Sequence, residues 1–320
     1  MSPVLFWAVL LIVSRASFLE HSLAITSFST LDTRTGSKRQ TDFLSKSCHG
    51  FRADITDLIV NDSTLAGPLL RLAFHDATTR ADRNDGGPNG SIVYEVQRPE
   101  NRGISKPLSI VQRLSKSHNL SLADSIALAG ATAVEAAGGP HIAIGMGRQD
   151  VNTADPEYFK RPMTKASPRS LVSKTLPSAG LDSDGLRLYF RNLGLSDAEW
   201  IALCGAHGLG RHVSLLGMSR HCLKNLTRVC LEEAPVMLPF VTESVDRFDN
   251  SYFQALLRWN QQEVELGDVA FIPTDVDLVV DAALRKYVVR YARDNELYSQ
   301  RFSSGYQKLV DFSATTKSRY

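Results

Sequence analysis

Apolar residues recur three and four positions apart along most of the chain after residue 48, whereas alternation of apolar and polar residues is scarce. The first spacing gives a helix one apolar face, and alternation is typical of a half-buried strand. The pattern therefore predicts an all-α protein. The predicted helices are Cys48–Val60, Leu65–Thr78, Leu108–Ser117, Leu122–Ala137, Ser183–Leu193, Ser196–Gly208, Ser251–Asn260, Ala282–Asn295 and Glu296–Asp311.

Signals for helix starts and loops agree with this pattern. Serine residues followed by an acidic residue in the next turn are typical N-caps, and Ser196 with Glu199 has the spacing of a capping box. Gly, Pro and Asn mark long loops at 80–90 and 138–181, and loops as long as the second usually have a function or wrap another element. The predicted N-caps are Ser121, Ser183 and Ser196.

The first 47 residues differ in composition from the rest. Residues 1–16 contain a short apolar run followed by small residues, which predicts a removable signal peptide rather than a membrane span; a buried N-terminal helix is the alternative. Residues 17–47 are rich in Ser and Thr with basic residues, as in a transit peptide or disordered linker. Such a two-part leader resembles those of algae with complex plastids, so we predict a plastid protein. Secretion is the alternative, and Asn-x-Ser/Thr sites are compatible with it.

Length and charge indicate an enzyme-sized globular protein. The chain has 320 residues, is 43% hydrophobic and carries a formal charge of +2. Without a long basic run, a nucleic-acid partner is not predicted, and a small-molecule substrate is favoured. Four cysteines are too few for a dense disulfide framework, although Cys222 and Cys230 could pair. We predict a domain over 48–313, with no membrane span in the mature chain, and a tail over 314–320.

Two helices carry candidate chemistry. Arg71, Phe74 and His75 have the spacing i, i+3 and i+4, which places a guanidinium, a ring and an imidazole on one helix face. Such polar groups are costly to bury, so they must line a cavity or find partners. His207 lies near the glycine-rich end of another predicted helix, where a purely structural histidine is the alternative. If both helices face a flat cofactor, one imidazole becomes the iron ligand and the other transfers protons.

Several stretches in order resemble the plant-type haem peroxidase superfamily, and most closely its class I branch with ascorbate peroxidase and the ascorbate-peroxidase-related proteins. The resemblance extends over residues 48–313 and implies a two-lobed helical fold with haem b between the lobes. The run 89–101 is especially similar to the ascorbate-peroxidase-related proteins. The matching stretches are Leu69–Asp76, Gly86–Ile92, Asp124–Gly130, Gly138–Pro140, Gly147–Asp150, Ile201–Arg211 and Phe248–Phe253.

The resemblance implies roles for residues on the peroxide side of the haem. His75 would move a proton from the near to the far oxygen of bound hydrogen peroxide, and Arg71 would stabilise the charge that develops. Asn101 would accept a hydrogen bond from the His75 ring, and Glu95 would hold Asn101 in place.

On the opposite side, the resemblance makes His207 the axial ligand of the haem iron. Pro273-Thr274-Asp275 matches the family motif whose carboxylate accepts a hydrogen bond from that histidine. Asp277 is the competing carboxylate, and helix capping is the alternative role for Asp275. Phe74 and Phe240 stand where ascorbate peroxidases have tryptophan, next to the cofactor.

The electron donor is less well specified. Ascorbate peroxidases hold ascorbate with a Lys and an Arg, and the matching positions here fall at Ser63 and near Leu216, within an expanded segment. The predicted function is a haem peroxidase that reduces hydrogen peroxide with a small one-electron donor, possibly ascorbate, in peroxide detoxification. The alternatives are a peroxidase for phenols or cytochrome c, and a haem-binding relative without turnover.

Overall fold

A computed structural model provides the fold. It describes residues 42–79, 87–156, 158–159, 173–174, 176–177, 181–213, 237–241, 244–258, 271–315 and 319–320. Contacts within the chain define two units, Met1–Ser47 and Cys48–Tyr320, and the fold below is that of the second unit. The predicted signal peptide and the possible Cys222–Cys230 pair lie outside the described residues.

The second unit is built almost entirely from helices, which confirms the all-α prediction. Its two small antiparallel sheets pair β1 (Tyr158–Phe159) with β2 (Ser173–Lys174) and β3 (Arg211–Val213) with β4 (Met237–Pro239). The α-helices are α1 (42–61, of which 48–61 belong to this unit), α2 (Ala66–Ala77), α3 (Ser105–His118), α4 (Leu122–Ala136), α5 (Ser183–Asn192), α6 (Asp197–Cys204), α7 (Ser251–Arg258), α8 (Pro273–Val280), α9 (Ala282–Arg293) and α10 (Asn295–Val310).

Several local predictions differ from the structure. Helix α1 is helical from residue 42 and α3 from Ser105, both earlier than predicted. Helix α8 was not predicted, although a proline at its first position is a helix-start signal. The N-cap of α5 is Asp182 rather than Ser183, because the Asp182 carboxylate accepts from the Gly185 N–H at 2.8 Å. The helix predicted over Ser196–Gly208 ends at Cys204 and continues as a 3₁₀ helix over Gly205–Leu209. The other two predicted N-caps, including the capping box, are confirmed.

Helix α4 is the centre of the first half of the unit. Every residue from Ala123 to Val134 is buried, and α2 and α3 pack against this helix. Small residues allow the close approach of α2: a side-chain carbon added at Gly130 would lie 2.6 Å from Cβ of Ala73. Close packing of this kind fixes α2, and with it the candidate residues on its face.

The second half of the unit is a separate group of packed helices, α5 to α10, in which α6 lies against α10 and α9 against α7. Helix α2 connects the two groups, because it contacts both α10 and the 3₁₀ helix Gly205–Leu209. At that contact a Cβ on Gly67 would lie only 2.1 Å from the carbonyl oxygen of Leu209. The segments with His75 and His207 are therefore direct neighbours.

A buried ion pair fixes the loop that follows α4. The side chain of Arg148 is fully buried, and its Nη1 donates to Asp124 Oδ1 at 2.9 Å. The same guanidinium donates to the carbonyl oxygens of Gly145 and Val310, so it joins the loop to the end of α10.

Among the described helices, none combines the length and apolarity that crossing a membrane requires.

Candidate active site

One face of α2 presents the three residues predicted from their spacing. His75 is buried, with 8% of its surface exposed, Phe74 is half-buried, and the Arg71 side chain is exposed. The neighbouring Leu72 and Ala73 point into the core against α4. The apolar face thus anchors the helix, and the other face keeps Arg71 accessible beside the imidazole.

A hydrogen-bond chain orients the His75 ring. Its Nδ1–H donates to Asn101 Oδ1 at 2.7 Å, and Asn101 Nδ2 in turn donates to the backbone oxygen of Glu95 at 2.9 Å. All three residues are buried. Because Nδ1 carries the hydrogen, Nε2 keeps its lone pair and is the nitrogen that can accept a proton.

Glu95 holds Asn101 through its backbone oxygen and not through its carboxylate. The contact to Asn101 is made by the Glu95 backbone, while the carboxylate accepts from Arg98 Nη1 at 2.8 Å and from the Asp155 N–H at 2.9 Å. Burial raises the pKa of Glu95. The Glu95 side chain therefore fixes the loop whose backbone positions Asn101.

Arg71 is held in place by backbone acceptors. Its Nη2 donates to the Glu100 oxygen at 2.6 Å and its Nη1 to the Arg102 oxygen at 2.7 Å. Desolvation by the surrounding protein lowers the pKa of Arg71 to about 10, which leaves the guanidinium charged at neutral pH. These two carbonyls flank Asn101 in sequence, so the segment 100–102 positions both Arg71 and His75.

The environment of His75 favours its neutral form. Burial is the largest cause of a pKa well below the ordinary value of 6.5, and the nearby charge of Arg71 adds to it. The hydrogen bond to Asn101 acts in the opposite direction. A neutral imidazole beside a fixed positive charge can accept a proton from a bound ligand and return it.

On the other side of the α2 contact, His207 is tied to a buried carboxylate. Its Nδ1–H donates to Asp275 Oδ1 at 2.9 Å, and Asp275 is 1% exposed. Burial lowers the pKa of His207, but the charge and hydrogen bond of Asp275 outweigh this effect, so the pKa is raised. Asp275 Oδ2 also accepts from the Ile272 N–H at 3.1 Å, at the start of α8. Asp275 therefore fills both roles considered for it, partner of His207 and helix cap.

Two aromatic rings set the orientation of the His207 ring. Phe240 stacks on it with centroids 4.5 Å apart and an interplanar angle of 13°, and Tyr252 meets it edge-on at 5.8 Å. The Tyr252 hydroxyl donates to Asp275 Oδ1 at 2.7 Å. The sequence stretch containing Tyr252 was recognised, but no role was assigned to this residue. A buried tyrosine on an apolar helix needs a partner for its hydroxyl, which was the available signal.

The two histidines match what an axially ligated flat cofactor requires. Each has Nδ1 bonded to a protein acceptor, which leaves Nε2 free for the iron at His207 and for proton transfer at His75. The His207 side chain is 34% exposed although its surroundings are buried. A partly exposed ring whose Nδ1 is bonded to a carboxylate fits a haem ligand, because Nε2 is the nitrogen that would coordinate the iron.

A third cluster lies near the start of α2. Arg211 binds Asp246 through two hydrogen bonds of 2.7 and 3.0 Å, and the Ser63 hydroxyl lies 3.4 Å from the same carboxylate. Asp246 has a left-handed backbone with φ of 63°. Leu216, the other position considered for donor binding, lies outside the described residues. Ser63, which stands where ascorbate peroxidases have a lysine for ascorbate, thus faces a carboxylate that is already paired.

Comparison with known proteins places the chain in a family. The family model described as Peroxidase matches residues 51–294. "Putative L-ascorbate peroxidase 6" of Arabidopsis thaliana is 32% identical over 263 residues, 80% of this chain and 66% of the relative. "Probable L-ascorbate peroxidase 7, chloroplastic" of rice (Oryza sativa) is 33% identical, with 82% and 70% covered. "Putative heme-binding peroxidase" of Cryptococcus neoformans is 31% identical, with 78% and 72% covered.

Proposed function

The chain belongs to the peroxidase family and is a haem peroxidase, and from this premise we propose that Arg71, His75 and His207 form its catalytic centre. The observation that carries the proposal is the pair of histidines with Nδ1 bonded to protein acceptors, Asn101 at 2.7 Å and Asp275 at 2.9 Å. When bound, haem b would supply the two electrons that break the oxygen–oxygen bond of peroxide, and one-electron donors would later return them.

On the peroxide side, His75 moves one proton. Its Nε2 accepts the proton from the near oxygen of hydrogen peroxide and delivers it to the far oxygen, which then leaves as water. The Arg71 guanidinium stabilises the negative charge that develops as the oxygen–oxygen bond breaks. Both groups are held before the substrate arrives, Arg71 by two carbonyl oxygens and His75 by Asn101. Such preorganisation avoids the cost of reorienting dipoles during the reaction.

On the opposite side, His207 would hold the iron through Nε2. The Asp275 carboxylate accepts from the Nδ1–H and would so increase the electron density that the imidazole can give to the iron. Phe240 keeps the ring in one plane by stacking on it. These contacts support a fixed axial ligand.

A stopped-flow experiment tests the catalytic proposal. Purified, haem-loaded protein is mixed with stoichiometric peroxide, and the change in the Soret band is followed for wild type and His75→Leu. Removing the base should slow the reaction by about 100- to 10,000-fold. His118→Leu is the control, since this histidine lies in α3 and pairs with Asp54 at 2.7 Å, away from the site. Equal rates for wild type and His75→Leu would refute the assignment. No spectral change in the wild type would instead favour a haem-binding protein without turnover.

We also propose that a neutral phenol is a better donor than ascorbate. Ser63 stands at the position where the resemblance expects a lysine for ascorbate, and its hydroxyl faces the Asp246 carboxylate, which Arg211 already binds. Neither Ser63 nor the Arg211–Asp246 pair offers the unpaired positive charge that would hold an anionic donor. The relatives named as ascorbate peroxidases support ascorbate as the competing donor.

A panel of donors separates these possibilities. Turnover with guaiacol, ascorbate and reduced cytochrome c is measured side by side at the same peroxide concentration. We expect the highest kcat/KM for guaiacol, and an increase for ascorbate in Ser63→Lys. Ser109→Lys adds the same charge at an exposed position of α3 and should change neither value. A wild-type preference for ascorbate would overturn the donor proposal and leave the peroxidase assignment intact.

We further propose that the protein removes hydrogen peroxide in a plastid. The two-part composition of residues 1–47 supports this location, as does similarity to a relative named as chloroplastic. A fluorescent protein fused behind residues 1–47 should accumulate in the plastid of an alga with complex plastids. Fluorescence in the medium would indicate secretion instead.

A further inference from the structure

The hydroxyl of Tyr252 and the ring nitrogen of His207 donate to the same oxygen atom. Asp275 Oδ1 accepts from Tyr252 at 2.7 Å and from His207 Nδ1 at 2.9 Å. Tyr252 is fully buried and Asp275 is 1% exposed, so the carboxylate that the two donors share is shielded from solvent.

Sharing one acceptor makes the two hydrogen bonds interdependent. Each donor withdraws electron density from the carboxylate oxygen, so a strong bond from Tyr252 weakens the pull of Asp275 on the His207 hydrogen. The effect is large in a buried site because the effective dielectric constant is low there. The third donor, the Ile272 N–H, occupies Oδ2 and does not compete for Oδ1.

We infer that Tyr252 is a positioning residue that sets how strongly Asp275 polarises His207, and thereby tunes the reduction potential of the bound haem. The inference rests on the proposed role of His207 as axial ligand. Tyr252 touches the edge of the His207 ring but acts on the iron only through Asp275. Without its hydroxyl, Asp275 would draw more on the Nδ1–H, and the imidazole would give more electron density to the iron.

The replacement Tyr252→Phe removes this hydroxyl and keeps the ring. The midpoint potential of the ferric/ferrous couple should fall, because greater donation from His207 stabilises the ferric state. The iron–histidine stretching frequency of the ferrous protein, measured by resonance Raman spectroscopy, should rise. Asp275→Asn should shift both quantities in the opposite direction, because a neutral amide polarises the imidazole less.

Tyr298→Phe is the matched control. Tyr298 is also fully buried in the same aromatic group, and its ring lies 5.1 Å from that of Phe253. Its hydroxyl makes no hydrogen bond to any residue that the structure describes. Like Tyr252→Phe, Tyr298→Phe removes one buried hydroxyl, but it removes no contact with Asp275. The potential and the stretching frequency should therefore stay at their wild-type values.

The outcomes separate this inference from the proposed function. A Tyr252→Phe protein with the potential and stretching frequency of the wild type would overturn the inference, as would a rise in potential. If the wild type loaded with haem shows no iron–histidine stretch, or keeps it in His207→Ala, the axial ligand is misassigned and the proposed centre fails. If Tyr252→Phe and Tyr298→Phe shift both quantities equally, general packing is responsible and the inference is wrong.

Discussion

Asn101 Oδ1 lies 2.7 Å from Nδ1 of His75, although the two residues are 26 positions apart and belong to different elements. His75 lies on α2, and Asn101 ends the 3₁₀ helix Pro99–Asn101. This contact fixes the tautomer and the direction of the imidazole, which decides where its free Nε2 points.

Asn101→Ala should therefore impair the reaction with peroxide without preventing haem binding. Without the acceptor, the ring can rotate, and a displacement of about 1 Å costs on the order of 100-fold in rate. The measurement is the second-order rate constant for the Soret change with peroxide, alongside a haem titration. A rate within twofold of the wild type would show that the ring is held by other contacts.

The pH dependence of the same reaction follows from the pKa of His75. Burial and the charge of Arg71 lower this pKa well below 6.5. The base is active when neutral, so the rate should stay constant as pH falls through 6.5 and decline only at lower pH. Since the Asn101 bond raises the pKa, Asn101→Ala should move the decline to lower pH, whereas Arg71→Leu should move it upward. A wild-type decline centred at or above pH 6.5 would contradict the assignment.

Two replacements of Arg71 distinguish the effect of its charge from the effect of its hydrogen-bond geometry. Arg71→Leu removes the group expected to stabilise the developing charge, and loss of one such donor costs about 100- to 1,000-fold. Arg71→Lys keeps the charge but cannot donate to the Glu100 and Arg102 carbonyls in the same fork, so its rate should lie between those of wild type and Arg71→Leu. A Lys variant as slow as the Leu variant would show that position matters more than charge.

Local spacing was sufficient to predict most helices and which candidate residues share one face of α2. The i, i+3, i+4 relation placed Arg71, Phe74 and His75 together because it depends on only one turn of helix. The contacts of Tyr252 and of the Glu95 backbone could not be predicted in the same way. Tyr252 and Asp275 are 23 residues apart and meet only because α7 and α8 pack together. Glu95 and Asn101 are six residues apart, but the spacing of side chains does not predict which backbone oxygen of a loop an amide will reach. At the start of helix α8, apolar and polar residues alternate from Asp275 to Leu278, so the sequence shows no helical apolar period there.

The buried pair of Asp124 and Arg148 should be important for stability rather than for catalysis. Arg148→Met leaves the Asp124 carboxylate buried without its partner, which costs about 3–5 kcal/mol in free energy of unfolding. Denaturant unfolding of the apo protein measures this loss. Lys106→Met, which breaks an exposed pair with Asp62, is the control and should leave the unfolding midpoint unchanged. Equal midpoints for Arg148→Met and wild type would show that the backbone contacts of the loop suffice.

Gly67→Ala should increase the distance between helix α2, which carries His75, and the segment Gly205–Leu209, which carries His207. In an ordinary helix, replacing Gly by Ala stabilises by about 0.5–1 kcal/mol. Here the new Cβ would lie 2.1 Å from the Leu209 carbonyl oxygen, a backbone atom that cannot rotate away. Helix α2 must therefore move off the segment that carries His207, and we expect a loss of about 1–3 kcal/mol and weaker haem binding.

Denaturant unfolding of the apo protein and a haem titration check both effects of Gly67→Ala. Gly208→Ala is the stability control, because its added Cβ would meet Tyr252 Cβ at 3.5 Å, an ordinary contact. A stabilised Gly67→Ala protein with unchanged haem affinity would show that α2 and the Gly205–Leu209 segment are not in close contact. A loss of haem affinity in Gly67→Ala alone would indicate that this backbone contact sets the distance between the helix with His75 and the segment with His207.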